Sequence, residues 1–392
     1  MRHILKFSFM TEIPAFSYAT ARSADRDQIA RGLSLAFGFS AARAQDYVEN
    51  VGIDAFRLLS GPGGAAASAA LVPTGHFFGG ASVPAVNICH VAVAPEWRGQ
   101  GLARMLLARM EDEARAQGAV LATLFASARP VYRKLGYELA GSEIIYEAET
   151  SALPTRPSVS WQALTGKIEG HLAKAPALRA KHHNGLLDRA PAHWRELLAT
   201  PRHALALYAI DGDVASGFVL IDTADDTCMI FRDWHAANGV AAEAILSFAS
   251  GFRSVYPKLR WHGAPADDLV FAMPDKGWRL FHQEEWMGKL LDPQKALARR
   301  GYECEDAQMD FIFSDTDEAR FGLAIARGKA TVTKPTGNAG IALRQDDLTP
   351  LFTGFRSAHF LARAGRLSGD AAAIAQADRI FAGPAPCVGE HF

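Results

Sequence analysis

Charge of a single sign is what this sequence most plainly lacks: 41 Lys and Arg stand against 42 Asp and Glu, for a formal net charge of −1. That balance removes the field that draws a chain to nucleic acid or to an anionic membrane, so neither is expected as a partner. Cysteine is also scarce. Cys89, Cys228, Cys304 and Cys387 lie far apart, with no C-x-x-C pair and no Cys/His ligand spacing. The expectation is therefore no metal, and thiols suited to a reducing compartment such as the cytoplasm. No apolar run is long enough for a transmembrane helix. The start, "MRHILKFSFM", is too short for the core of a signal peptide. Neither the dinucleotide fingerprint nor the P-loop occurs. Asp233, Trp234 and His235 resemble a hydrolytic triad by letter only, with no nucleophile at a defined offset.

What is present is apolar and globular. Hydrophobic residues make up 49% of 392, too long a chain for one ordinary core, so two or three domains are expected. The stretch "HVAVAPEWRGQGLARMLLARM" starts as a buried strand that ends before Pro95. From Leu102 it becomes an amphipathic helix, with Met105, Leu106 and Met110 on one face. Gly99 and Gly101 sit at the junction, where the backbone can approach a ligand and the helix directs unpaired N–H groups at it. Such a turn suits a phosphate, although an ordinary strand–turn–helix junction reads similarly. The spacing Arg-x-x-Gly-x-Ala, with "ARPVYRKLGYELAG" following a second strand "AVLATLFAS", resembles the GCN5-related (GNAT) N-acetyltransferases.

Further along, the order of elements repeats. The first unit opens with a helix at "SADRDQIARGLSLAFGF" and a glycine-rich stretch, "GPGGAAASAALVPTGHFFGG", read as short strands or hairpin turns. It closes with a strand at "SEIIYEAE" and the linker "SALPTRPSVS". In the second unit "HALALYAIDGDVASGFVLID" reads as a hairpin, and strand, turn and helix follow in "DTCMIFRDWHAANGVAAEAILSFASGF". No Arg-x-x-Gly-x-Ala turn occurs in this copy, which reads as a degenerate acetyltransferase-like domain. A third unit begins at "PQKALARRGY" and resembles sterol-carrier domains. Together the three units resemble the Eis (enhanced intracellular survival) family. The implied fold is α+β (mixed α/β), with an acetyl-CoA-binding domain at 1–150, a degenerate copy at 151–286 and a sterol-carrier-like domain at 287–392. The resemblance also implies a homohexamer.

It further implies an acetyl-CoA-dependent N-acetyltransferase acting on a primary amine, either a small molecule or a protein lysine. Gly99, Gln100, Gly101, Leu102 and Ala103 would hold the pyrophosphate, with Arg98 and Arg104 adding charge. Val91, Ala92 and Val93 would pair with the pantetheine arm, and Ser127 and Ala128 would lie near its far end. Tyr132 matches the family's general acid by its place in "PVYRKLGY", the alternative being a ring that only packs. Tyr137 suits core packing. Phe392, where the sequence stops at an aromatic, would supply an α-carboxylate as base or orienting charge, the alternative being a frayed tail. His90 reads as a satisfied strand histidine, and His182 and His183, beside Lys181 and Asn184, as a solvated face. Phe37 and Phe39 make an apolar wall and His391 stands beside the terminus, so kanamycin-like polycations are expected to be poor substrates. The competing function is a scaffold that binds acetyl-CoA or a lipid with little turnover.

Overall fold

The computed structural model describes residues 16–155, 159–316, 320–337 and 340–392. "MRHILKFSFM" and residues 156–158 of the linker lie outside them. The fold is mixed α/β, and the chain forms two compact units. One comprises the residues up to Leu71 with His90–Met110, the other Val72–Cys89 with Glu111–Phe392.

In the first unit the strands Ser17–Thr20 and Phe56–Gly61 pair antiparallel, and Phe56–Gly61 pairs in turn with Gly64–Phe78. The latter is a single strand of 15 residues where short strands or hairpin turns were expected, and the turns at 62–63 and 79–80 lie at its two ends. Alanine is a poor strand former, but Ala66, Ala67, Ala69 and Ala70 are buried there, and burial decides. The helix Arg26–Phe37 turns inward Ile29, Ala30 and Leu33 and stops at Gly38, which takes φ 70°. A second helix, Ala41–Val51, was not read from sequence. Ser40 caps it, accepting from Arg43 N at 3.2 Å, and Ala44, Val48 and Val51 form its buried stripe.

The second unit carries a long mixed sheet. From Leu121–Phe125 its strands run in the order Trp278–Leu290, Glu138–Glu149, Lys258–His262, Cys228–Ala236, Gly217–Asp222, Leu205–Ile210 and Trp161–Leu164. The strand ending the second acetyltransferase-like copy thus lies between two strands of the first. Trp286 of that strand faces Gly141 and is fully buried. A Cβ on Gly141 would come within 2.5 Å of the indole, so the position accepts only glycine without repacking. A five-stranded sheet follows, in the order Lys329–Thr333, Arg320–Ala326, Asp306–Phe313, Gly340–Leu343 and Leu367–Ser368. Its core residues Phe311, Phe352 and Phe381 belong to the same apolar cluster as Phe78, Trp286 and Phe392.

His76 is an exception within this apolar core, being fully buried. Its Nδ1 lies 2.8 Å from the Gly185 carbonyl, which can only accept, so Nδ1 carries the proton. Nε2 then accepts, from Thr123 Oγ1 at 3.2 Å or Asn87 Nδ2 at 3.3 Å. Trp286 stacks on the ring at 5.4 Å. Burial lowers the imidazole pKa to about 4, with nearby His193 acting in the same direction. The unfolded chain therefore takes up this proton first as pH falls. Its contribution to stability is whole above pH ~6.5 and is lost on descent to about 4. The thermal midpoint should hold between pH 7 and 8 and fall from ~6.5 downward. His76→Gln, which keeps a donor and an acceptor, should lose less over that window, by up to ~3 kcal/mol. Parallel curves for the two proteins in pH-resolved scanning fluorimetry would rule His76 out as the cause.

Candidate active site

The strand Ala81–Val93 delivers the chain to the glycine turn. Its ladder to Leu121–Phe125 covers Ala85–Asn87, and His90 then takes φ 52°, a left-handed conformation that breaks the pleat. His90 is packed among Phe37, Phe39 and Tyr47, with ring centroids at 5.0, 5.4 and 4.3 Å. Val91, Ala92 and Val93 complete the strand, Ala92 buried and the valines half-buried. A short 3-10 turn, Pro95–Trp97, leads to Arg98, whose Nε donates to Val93 O at 3.2 Å. That bond uses one of five guanidinium donors and keeps the charge at the strand end.

Gly99 and Gly101 take φ 78° and 80°, and a Cβ on either would meet nothing within 4 Å. Their lack of a side chain leaves open space in front of the turn. Gly101 O accepts from Met105 N at 3.0 Å, which makes Gly101 the residue capping the helix Leu102–Ala116. A glycine cap offers no side-chain oxygen, so the first N–H groups of this helix remain for a ligand. Gln100 is tied back to Glu96 O at 3.2 Å. Leu102 is buried, Ala103 half-buried and Arg104 exposed. The predicted residues Val91–Val93 and Arg98–Arg104 are thus contiguous in one unit, and the open glycines fit a pyrophosphate.

The corresponding helix of the second copy, Gly239–Ser250, begins differently. Asn238 caps it, its Oδ1 accepting from Ala241 N at 3.0 Å. The side chain occupies the place an anion would take.

In the second unit Ser127 and Ala128 are exposed just beyond the strand Leu121–Phe125, and the helix Arg129–Arg133 follows. Tyr132 on that helix is 8% exposed, and burial raises its pKa, which keeps the phenol protonated at working pH. Its ring lies edge-on to Tyr137 at 6.1 Å. Tyr137 is a core residue, fully buried, with burial and the neighbouring Glu111 pushing its pKa well up.

The last residues are anchored in this same unit. Cys387–Val388 runs parallel to Ser142–Glu143, and Cys387 N donates to Asn184 O at 2.8 Å. The Phe392 ring is buried beside Phe125 at 4.9 Å, His76 at 5.6 Å and Trp286 at 6.5 Å. His391 stacks on Phe125 at 3.9 Å, and its Nδ1 lies 3.0 Å from Glu143 Oε2. His262 Nε2 lies 3.0 Å from the other oxygen of Glu143. Burial works to raise the Glu143 carboxyl, but these two imidazoles overcome it and hold it at about 2. A further tether runs through charge. Asp233 accepts from Arg179 Nη1 and Arg189 Nη1, both at 2.7 Å, and Arg189 Nε reaches Glu390 Oε1 at 2.7 Å.

The face expected to be solvated is exposed only in part. Asn184 beside it is buried, donating to Pro384 O at 2.9 Å and accepting from Gly79 N at 2.8 Å. His183 is half-buried, and burial lowers its pKa to about 3. His182 is exposed, as expected. Glu143, His262, His282 and Glu284 went unnoticed, because they lie on three different strands with no sequence spacing to join them.

Comparison with known proteins follows the same outline. An acetyltransferase (GNAT) domain family matches residues 17–140, a second matches 185–290, and a sterol carrier protein domain matches 293–389. An uncharacterized N-acetyltransferase of Streptomyces griseus is 27% identical over 338 residues, covering 77% of this chain and 80% of its own. The N-acetyltransferase Eis of Mycobacterium tuberculosis is 25% identical over 332 residues, covering 78% and 79%. The crystal structure of a GCN5-related N-acetyltransferase from Anabaena variabilis gives a TM-score of 0.88 at 29% identity, over 96% of this chain and 100% of that one.

The buried charge chain gives a testable consequence for the terminal segment. Arg189→Met strips Asp233 and Glu390 of their shared partner and should cost ~3–5 kcal/mol, the usual penalty for breaking a buried pair. Glu390→Gln should cost far less but raise amide exchange across residues 387–391. If exchange of that peptide is unchanged in Glu390→Gln, the ion pair does not hold the segment.

Proposed function

The chain belongs to the Eis family of GNAT N-acetyltransferases, with two GNAT domains and a C-terminal sterol-carrier domain, and we propose that it transfers acetyl from acetyl-CoA to a primary amine by direct attack. The observation that carries this reading is the turn Arg98–Ala103, where two open, left-handed glycines lead into a helix with no capping side chain. Its N–H groups, with Arg98 and Arg104, would hold the pyrophosphate, and Val91–Val93 the pantetheine arm. Ser127 and Ala128 are assigned to the far end of that arm. Acetyl-CoA supplies the acetyl group as a thioester.

Tyr132 is assigned as the acid. Its buried phenol keeps its proton and can donate it to the departing sulfur, whose thiol has an ordinary pKa near ~8.5. The Phe392 carboxylate is assigned as base or counter-charge for the amine. Burial of the Phe392 ring supports a held position there, not a frayed one. Acetyl transfer is assigned to a domain spanning residues 1–150, with the copy at 151–286 and the sterol-carrier domain at 287–392 in support. A hexamer and a cytoplasmic site of action complete the reading. Four free thiols, three of them buried, suit such a compartment. The amine is a small molecule or a protein lysine, which a thiol-release assay across an amine panel would resolve.

Calorimetry should give one acetyl-CoA site per chain, because Asn238 fills the second helix start with its own side chain. Gly101→Glu, placing a carboxylate against the phosphates, should abolish binding. Two sites per chain would overturn the assignment of a cofactor-free second copy.

Tyr132→Phe keeps the ring and removes the proton, so kcat should fall by roughly 10²–10⁴-fold while acetyl-CoA affinity holds. Residues appended after Phe392 convert its carboxylate to a neutral amide and should also cost turnover. An N-terminal tag should not. Undiminished turnover by a verified, uncleaved C-terminal extension would exclude the carboxylate from catalysis.

A further inference from the structure

We infer that Glu143, Glu284 and His391 form a binding site for a divalent transition metal of the zinc class, which clasps the C-terminal segment to the sheet. The register of the sheet creates the site. Glu143 and Glu284 stand directly opposite each other on the antiparallel pair Glu138–Glu149 and Trp278–Leu290. Like charges in that relation repel, and a sheet tolerates them best with a cation between them. Glu143 is only 3% exposed, so solvent does little to screen it.

The surrounding donors are imidazoles. His262 and His282 both pair with Ile145, from the strands on either side of it, which places them on the same face as Glu143. One ligand atom each from Glu143, Glu284 and His391 lies within 4.8 Å of the others. His282 Nε2 is 3.9 Å from Glu143 Oε2 and 3.7 Å from Glu284 Oε2, in place to act as a fourth ligand. His262 already holds the second oxygen of Glu143 at 3.0 Å and fixes the carboxylate plane, as outer partners of metal ligands do. Two carboxylates and two imidazoles make a mixed oxygen and nitrogen set, which zinc accepts in tetrahedral geometry and calcium does not favour. Closing onto the metal needs the ligand atoms to draw together by ~1 Å, since tetrahedral zinc places them ~3.4 Å apart. Glu284, His282 and His391 are exposed enough to move, with side chains 38, 43 and 49% accessible.

A metal here ties two strands and the terminal segment together, with His262 of a third strand as outer partner, through side chains that no sequence motif joins. The clasp is structural: it fixes His391, and with it the neighbouring Phe392, and takes no part in acetyl transfer.

The test uses the full-length, tag-free protein, stripped with a chelator and titrated with zinc chloride by calorimetry. One site per chain with micromolar or tighter affinity is expected, together with a rise in thermal midpoint and slower amide exchange across residues 387–392. Glu284→Gln and His391→Asn, both at accessible positions that the fold tolerates, should each weaken zinc binding by at least tenfold. Absence of zinc binding, or binding that is equally tight in both variants, overturns the proposal. Binding that leaves the exchange of 387–392 unchanged overturns the clasp.

Discussion

The strand Trp278–Leu290 is the constraint on which the second unit depends. It comes late in the sequence yet sits between Leu121–Phe125 and Glu138–Glu149, hydrogen-bonded to both. Removing it would leave two unpaired strand edges and expose Trp286, a fully buried side chain. Gly141 is the mark this strand leaves on its partner, since the indole fills the volume any side chain would need. The two acetyltransferase-like copies therefore do not have separate cores in the ordinary sense. Lys258–His262 pairs with Glu138–Glu149 from the other side, so strands of the second copy flank the last strand of the first. The copies are separate in sequence, and the sheet joins them again in space.

That joining is also what builds the surroundings of Phe392. Ser142 and Glu143 pair with Cys387 and Val388 because Lys258–His262 reaches only Ile145, which leaves the edge before it open to the terminal segment. Phe125 and Trp286 are cross-strand neighbours, and both rings lie against Phe392. Arg189 sits between Asp233 and Glu390 with its charge matched on each side, and Arg179 completes a neutral cluster of two positive and two negative groups. Backbone pairing, apolar burial and paired charge all act on residues 387–392.

The sequence carried the local elements well and the distant pairings poorly. Strand, glycine turn and helix from His90 to Met110 were legible because each is written in contiguous residues with its own period. The hairpin at Asp211-Gly212 was legible for the same reason, both residues taking the positive φ that such a turn requires. The helix Ala41–Val51 was overlooked beside the apolar "LAFGF", and the alanine-rich strand Gly64–Phe78 has no propensity signal, only burial. In the sequence Glu143 is one charge among others in a closing strand. Its importance comes from His262, His282, Glu284 and His391, which reach it from three other segments and cannot be joined by any linear spacing. His76 is alike: its partners Gly185, Thr123 and Asn87 come from distant segments.

The two copies start the corresponding helix in different ways. Both have a strand, a short turn and a helix in the same order. In the first, the capping residue is Gly101, and space lies open in front of it. In the second, the capping residue is Asn238, whose own oxygen takes the N–H of Ala241. An asparagine cap stabilises a helix by ~1 kcal/mol relative to alanine, and glycine forgoes part of that. The first copy thus gives up a little helix stability and leaves those donors without a capping side chain. The second spends the same donors on itself, and most of its helix is buried, from Ala241 to Ser250, in a core that includes Ile245, Leu246 and Ala249. That helix is held by packing along its length and by a polar cap at its start, where the first copy has a glycine.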